Sequence, residues 1–389
     1  MSDSHTKGRY YFAVDGLRLL ASINIVLFHT EAIGGFYNLQ GSPDWFFRIL
    51  KGPAFSASIF FILGGFIFTS KFASRVESFN TWNFLKKRFS ELYPLHALTS
   101  LIMIGLMIAR YLPDGALSIP KLIFSTFLHL SLLWSVFPFF SYSLNTPSWA
   151  LSAFFLCYLF FHPLLRFVIR INKKRILMLW IAVFLIPSTI WGLVFYFMGS
   201  PANLYQFFHA FGPVRFFEFG IGALMARFFQ LSDRYRKKTL FTLVIYDIVL
   251  ILASILIYLN IQYFNSPDKP LMTWMSYHVF MIPLFIVILY CLAVERGMIQ
   301  LVLSQPFIRN VGKSSFYPYL IHIPFISGVT FFCEKFLGYK TLLHSPENAT
   351  ILVIFIYASC FLYFMIFRKK KIVKSPLVDQ FSTAVKVHA

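Results

Sequence analysis

Stretches of about twenty predominantly apolar residues recur along this chain, at 10–31, 52–70, 91–111, 148–165, 176–198, 208–229, 239–262, 274–295, 314–334 and 350–367. Each is long enough to cross the hydrocarbon core of a bilayer as a helix, at about 1.5 Å per residue. None shows the strict apolar–polar alternation of a transmembrane barrel strand. Composition points the same way. The chain is 58% hydrophobic and 13% charged, with mean hydropathy +0.69, whereas a soluble domain is nearer 45–50% apolar and about 25% charged. The expected fold is all-α: a polytopic helical membrane protein with about ten transmembrane helices, forming a single integral membrane domain over residues 1–389.

An eleventh apolar stretch, 121–140, decides the topology. Counted as a full span, it puts the basic loop at 166–175 outside. Counted as a re-entrant or peripheral segment, it lets most of the 35 lysines and arginines fall on one side, as the positive-inside rule requires. We therefore expect ten crossings, a short cytoplasmic N-terminus (1–9) and a basic cytoplasmic tail (368–389). Lys7 and Arg9 precede an apolar run as in a signal peptide. Asp15 and Arg18 interrupt that run and no small-residue cleavage site is evident, so retention is expected. The net charge of +20 then belongs to loops beside anionic membrane lipid, and no nucleic-acid partner is expected. Cys157, Cys291, Cys333 and Cys360 lie inside apolar runs without a paired redox or metal motif, so no metal is expected.

Against this apolar background the ionisable residues stand out, because a charge inside a bilayer is costly and marks function by default. Tyr10 to Gly35 reads YYFAVDGLRLLASINIVLFHTEAIGG and holds Asp15, Arg18, Asn24 and His29. Arg18 and His29 are about three helical turns apart and share a face with Ser22. Asp15 is three residues before Arg18, within pairing reach. An Asp–Arg pair at a helix end with one satisfied histidine is the structural alternative. In HAFGPVRFFEFGIGALMARFF, Arg215 and Glu218 either neutralise each other or line a water-filled path beside His209. His322, in GKSSFYPYLIHIPFI, sits mid-membrane beside a proline-kinked stretch and is read as facing a cavity. Lys86, Lys87 and Arg88, in FLKKRFSELYPLHAL, form a basic knot that either anchors a helix end or captures an anion such as a nucleotide phosphate. Asn145, Thr146, Ser148, Trp149 and Ser152 make a polar, aromatic entrance of the kind that binds carbohydrate, although interfacial placement explains Trp149 equally.

Six of these segments, taken in order, resemble the integral membrane acyltransferase 3 family, which includes bacterial O-acetyltransferases of surface polysaccharides. DGLRLLASINIVLFH resembles the family's first helix, with a basic residue and a histidine separated by ten positions, here Arg18 and His29. FFILGGFIFT, KRFSELYPL, NTPSWALSAFFLCYLFFHPLL, RFFEFGIGALMA and SSFYPYLIHIPF resemble later blocks. This chain departs from the pattern at Glu91 (usually a second arginine), Gly64 (usually serine) and Phe154 (usually glutamate).

The resemblance implies an O-acyltransferase in the plasma (bacterial inner) membrane. It would move an acyl group, acetyl from acetyl-CoA, to a hydroxyl of a glycan or glycolipid such as lipopolysaccharide O-antigen. Arg18 and His29 are separated by about 16 Å along a helix, comparable to an extended pantetheine arm. On this reading the CoA phosphates sit among Lys86, Lys87, Arg88 and Arg18, and the thioester reaches His29. His29 is then a general base or is itself acylated, with Asp15 orienting Arg18. Ser152, Trp149, Arg215, Glu218 and His322 line the substrate path. The rival is a glycolipid or polysaccharide-precursor transporter or exporter, which paired intramembrane charges suit equally. No convincing internal repeat supports it.

Overall fold

In the computed structural model, residues 10–34, 54–137, 144–199, 209–232, 240–264, 270–294, 297–338 and 346–367 are described. Both expected cytoplasmic ends, 1–9 and 368–389, lie outside them. The described residues form helices and short turns, without strands. In chain order the helices are α1 (Phe12–Gly34), α2 (Ala54–Phe72), α3 (Thr81–Tyr111), α4 (Ile119–Leu130), α5 (Trp149–Leu159), α6 (Phe161–Ile169), α7 (Lys174–Phe197), α8 (Gly212–Gln230), α9 (Leu240–Phe264), α10 (Pro270–Met275), α11 (Met281–Ala293), α12 (Met298–Leu303), α13 (Pro306–Ser314), α14 (Phe316–Phe332) and α15 (Pro346–Phe367). A π-helical turn, Ser276–Phe280, joins α10 to α11.

Among the described residues, 8 helices are long and apolar enough to cross a membrane, or 9 if α5 and α6, bent by 55° at their junction, form one broken span. The 19-residue α8 is about 28 Å long, but Arg215, Glu218 and Arg227 dilute its hydropathy. Helices thus stand at each of the expected spans, and the structure adds why two of them are irregular. One is bent and the other carries buried charge.

Among the described residues, the helical part of the stretch 121–140 is the 12-residue α4, about 18 Å long and too short to cross. Its apolar face (Ile123, Phe124, Phe127) is exposed, as suits contact with lipid. Its other face is tied to α3: Tyr93 Oη donates to the Leu130 carbonyl at 2.9 Å and His96 Nε2 to that of His129 at 3.0 Å. The chain then turns back. The Ser135 carbonyl receives the Gly212 amide at 3.0 Å, at the head of α8.

Two helix seams position everything else. Along α2 and α8 the backbones touch: a Cβ at Gly65 would strike the Phe219 carbonyl, and one at Gly222 would strike that of Ile62. Such contact between small residues is what associates helices in lipid, where burial of apolar surface offers no drive. Along α1 and α13, Gly312 lies directly on the Asp15 carbonyl. Since α14 follows α13 at once, α1 also meets α14, where Ser22 Oγ donates to the Ser315 carbonyl at 3.3 Å.

Candidate active site

Between α1, α2, α3, α5 and the α13–α14 junction lies a cavity of about 850 Å³, within the range of small-molecule sites. One end is cationic: Arg18, Lys71, Lys87, Arg88 and Lys313 line it, with Glu91 as the acid among them. The body is apolar and aromatic, walled by Phe60, Phe61, Ile67 and Phe154, and it reaches Tyr319. At the cationic end Asp15 is held by Arg18 Nη1 at 3.4 Å and by the Tyr10 hydroxyl. Arg88 pairs with Glu91 at 2.9 Å and lies over the Phe68 and Phe84 rings. Burial lowers the Lys313 ammonium from its ordinary pKa, against the pull of Asp15.

Tyr319 leads to the histidines. Its ring centroid is 6.3 Å from that of His322, and its hydroxyl donates to the Pro147 carbonyl at 2.7 Å. His322 Nε2 lies 3.1 Å from Nδ1 of the half-buried His29. The flanking bonds assign the tautomers. A carbonyl only accepts, so His322 Nδ1 carries the proton shared with Pro318 O at 2.9 Å, and His29 Nδ1 carries one toward Ile25 O at 3.0 Å. Neutral His322 then turns its Nε2 lone pair to the His29 Nδ1 proton. The basic lone pair left over is on His29 Nε2. This arrangement can accept a proton or attack a carbonyl.

A second polar cluster lies on α2, α8 and the Ser276–Phe280 turn. Arg215, 0% exposed, donates from Nη1 to both Glu218 oxygens at 2.9 Å and to Ser58 Oγ at 3.0 Å, and from Nε and Nη2 to the His209 carbonyl. Glu218 Oε1 also accepts from Ser58 Oγ at 2.9 Å and from His278 Nδ1 at 3.3 Å. Trp149 lies against this cluster, its ring 5.2 Å from the Arg215 guanidinium and 5.0 Å from the His209 ring. His278 Nε2 has no partner among the described residues.

The structure separates the expected site residues into groups. Arg18, Lys87 and Arg88 line the cavity, with Asp15 behind Arg18. Lys86 is exposed and is absent from the cavity wall, because adjacent residues on a helix face different ways. His29 and His322 come together beyond the cavity's far end. Arg215, Glu218 and Trp149 form the separate cluster just described. Ser152 is occupied as a brace: it donates to the Leu132 carbonyl at 2.5 Å and exchanges bonds with Ser135. Asn145 likewise donates to Leu320 O at 2.9 Å, so the expected polar entrance serves here as internal stitching.

Two of the unusual positions explain each other. A Cβ at Gly64 would sit 2.9 Å from Phe154 Cε1, and the Phe154 ring is stacked on Phe61 at 4.3 Å. The bulky ring is admitted because position 64 is bare. Sequence reasoning missed His278, Arg309 and Lys313. His278 was open to the rule that singled out His322, an ionisable side chain inside an apolar run. Lys313 and Arg309 are, in sequence alone, two of the basic residues between apolar runs.

The family model described as acyltransferase domain, acyltransferase 3, matches residues 11–367. The chain belongs to this family. Among curated proteins, acyltransferase MdmB of Streptomyces mycarofaciens is 30% identical over 230 residues, which covers 55% of this chain and 56% of the relative. The match spans a little over half the length of that relative. No solved structure gives a significant match.

Proposed function

We propose that this protein is a membrane O-acyltransferase that takes an acyl group, acetyl first among candidates, from cytoplasmic acyl-CoA. The acceptor is a hydroxyl of a cell-surface glycan or glycolipid such as lipopolysaccharide O-antigen, and the setting is the bacterial inner membrane. The observation that carries this reading is one cavity with a cationic mouth and an apolar body that ends beside the His29–His322 pair. A donor with a phosphate-rich head and a long thin arm matches that polarity from end to end. The phosphates meet Arg18, Lys87 and Arg88, and the arm follows the aromatic wall toward Tyr319.

His29 Nε2 supplies the base. In the direct route it takes the hydroxyl proton as the oxygen attacks the thioester carbonyl. The C–S bond breaks, and the proton passes to the leaving thiolate. In the two-step route Nε2 attacks the carbonyl itself, while His322 Nε2 takes the Nδ1 proton and passes it to the thiolate. The hydroxyl then displaces the acyl group and its proton restores His29. Both routes end as ester plus thiol, and in both His322 Nε2 supports the His29 Nδ1 proton that the Ile25 carbonyl also holds.

The test uses sealed vesicles holding purified protein, with labelled acetyl-CoA on the Lys87 side and candidate glycans present. Wild type should consume acetyl-CoA, and His29→Ala should lose on the order of a hundredfold or more in turnover. Full activity in a correctly folded His29→Ala protein would sink the mechanism. A wild type that never touches acetyl-CoA would sink the reaction.

A further inference from the structure

We propose that the junction of α13 and α14 is the second wall of the donor site. In this reading Arg309 and Lys313 grip donor phosphate from the side opposite Lys87 and Arg88, and Ser315 bonds an amide of the donor's arm. The inference rests on the acyl-CoA reading above and adds residues that neither the sequence pattern nor the comparisons assign.

Three observations carry it. The first is charge. Arg18, Lys71, Lys87, Arg88, Arg309 and Lys313 gather at this end of the bundle, against Asp15 and Glu91. Six cations facing two carboxylates leave an excess of four. Like charges held together at low dielectric repel, and an anion bound among them relieves that cost. The second is placement. Lys313 lines the cavity with its ammonium over the Tyr10 ring at 5.1 Å. Arg309 is one turn back on the same face of α13, over the Phe12 ring at 5.0 Å.

The third is a set of unmet hydrogen-bonding groups. Arg309 is 1% exposed, yet its Nε and Nη1 have no partner among the described residues. The same holds for the hydroxyl of Ser315, which lines the cavity at 0% exposure, and for Nε of Arg88 across from it. Buried donors are almost always satisfied, and each exception calls for an explanation such as an absent ion or ligand. Here the unmet groups sort by chemistry. Arg88 Nε is at the cationic mouth, where phosphate oxygens would accept, and the Arg309 guanidinium lies one turn behind Lys313, in reach of its charge but not itself on the cavity wall. The neutral hydroxyl is at α14's first turn, past the charges, where the amides of a pantetheine arm would pass.

The test is equilibrium binding to the purified full-length protein in nanodiscs of phosphatidylcholine. The probes are acetyl-CoA, CoA lacking its 3′-phosphate, and S-acetylpantetheine, which has no phosphate. Lys313→Met should raise the acetyl-CoA Kd by about tenfold, the usual scale for a charge-assisted hydrogen bond, and flatten its salt dependence. Binding of S-acetylpantetheine should be unchanged. Arg309→Met should do the same, with Arg309→Lys intermediate. Ser315→Ala should weaken all three probes by a similar factor.

Unchanged acetyl-CoA affinity in folded Lys313→Met and Ser315→Ala proteins would overturn the proposal, even if Arg309 variants fail to fold. A wild type that binds acetyl-CoA alongside such variants would leave the acyl-CoA reading intact, whereas a wild type that binds none of the probes would refute both. Nanodiscs containing phosphatidylglycerol separate the remaining source of phosphate. If that lipid abolishes acetyl-CoA binding and Lys313→Met restores it, the cluster is a lipid headgroup site and the proposal fails.

Discussion

Replacing Glu218 with glutamine removes one charge from a pair that is out of contact with solvent, Arg215 at 0% and Glu218 at 1% exposure. The carboxylate accepts from Arg215 Nη1 on both oxygens, from Ser58 and from His278. A glutamine has one oxygen for these donors, and its own amide would point N–H at N–H or O–H. The guanidinium keeps Ser58 and the His209 carbonyl but loses its counter-charge. Breaking one side of a buried ion pair costs about 3–5 kcal/mol. At about 2 °C per kcal/mol for a chain of this size, the midpoint should fall by about 6–10 °C. Arg215→Gln should cost as much. The double variant Arg215→Gln/Glu218→Gln buries no unpaired charge, so it should fall short of the summed single losses by about 2 kcal/mol or more. The assay is the apparent melting midpoint of detergent-purified protein, read by size-exclusion chromatography after heating. All variants are compared at one heating rate, because the apparent midpoint of a protein that unfolds irreversibly depends on that rate. Midpoints of the single variants within a degree of wild type, or strict additivity in the double, would refute the claim that these residues hold α8 through mutual neutralisation.

The glycine contacts give two further tests. Gly222→Ala should lower the same midpoint markedly because its Cβ would overlap the Ile62 carbonyl, while Gly105→Ala, with open space around it, should leave it unchanged or slightly raised by better helix propensity. Gly64→Ser should be destabilising in the wild-type chain and less so when Phe154→Ala removes the nearer of the two rings it meets, the Phe219 ring at 3.3 Å remaining; equal effects in both backgrounds would show that the two positions are not coupled.

How much of this was legible in the sequence depends on the range of the interaction. The spans were readable because apolar run length is a local property, and the short α4 was signalled by loop charge. The Arg18–His29 stripe was readable because one helix carries both residues. What no local rule could supply was the partner of His29: His322 lies 293 residues away in sequence. For the same reason Ser152 and Asn145 read as an entrance, since a serine that braces a returning loop and one that binds sugar look alike until the loop is placed. Gly64 and Phe154 looked like separate losses and are one steric compromise between α2 and α5. Lys313 was misjudged because charge near a membrane is usually an anchor, and its position on a cavity wall follows only from α13 lying along α1.

The bond between Ser22 and the Ser315 carbonyl has a mechanical consequence. It fixes a fulcrum on α1, with the cationic arm α13 on one side and the His322 arm of α14 on the other. From Ser315 to His322 is about 10 Å along the helix, so tilting α14 by roughly 5° would move the imidazole by about 1 Å, enough to break a 3.1 Å hydrogen bond. A shift of α14 about that point would therefore loosen the grip of His322 on His29, whose Nδ1 proton would keep the Ile25 carbonyl as its remaining partner.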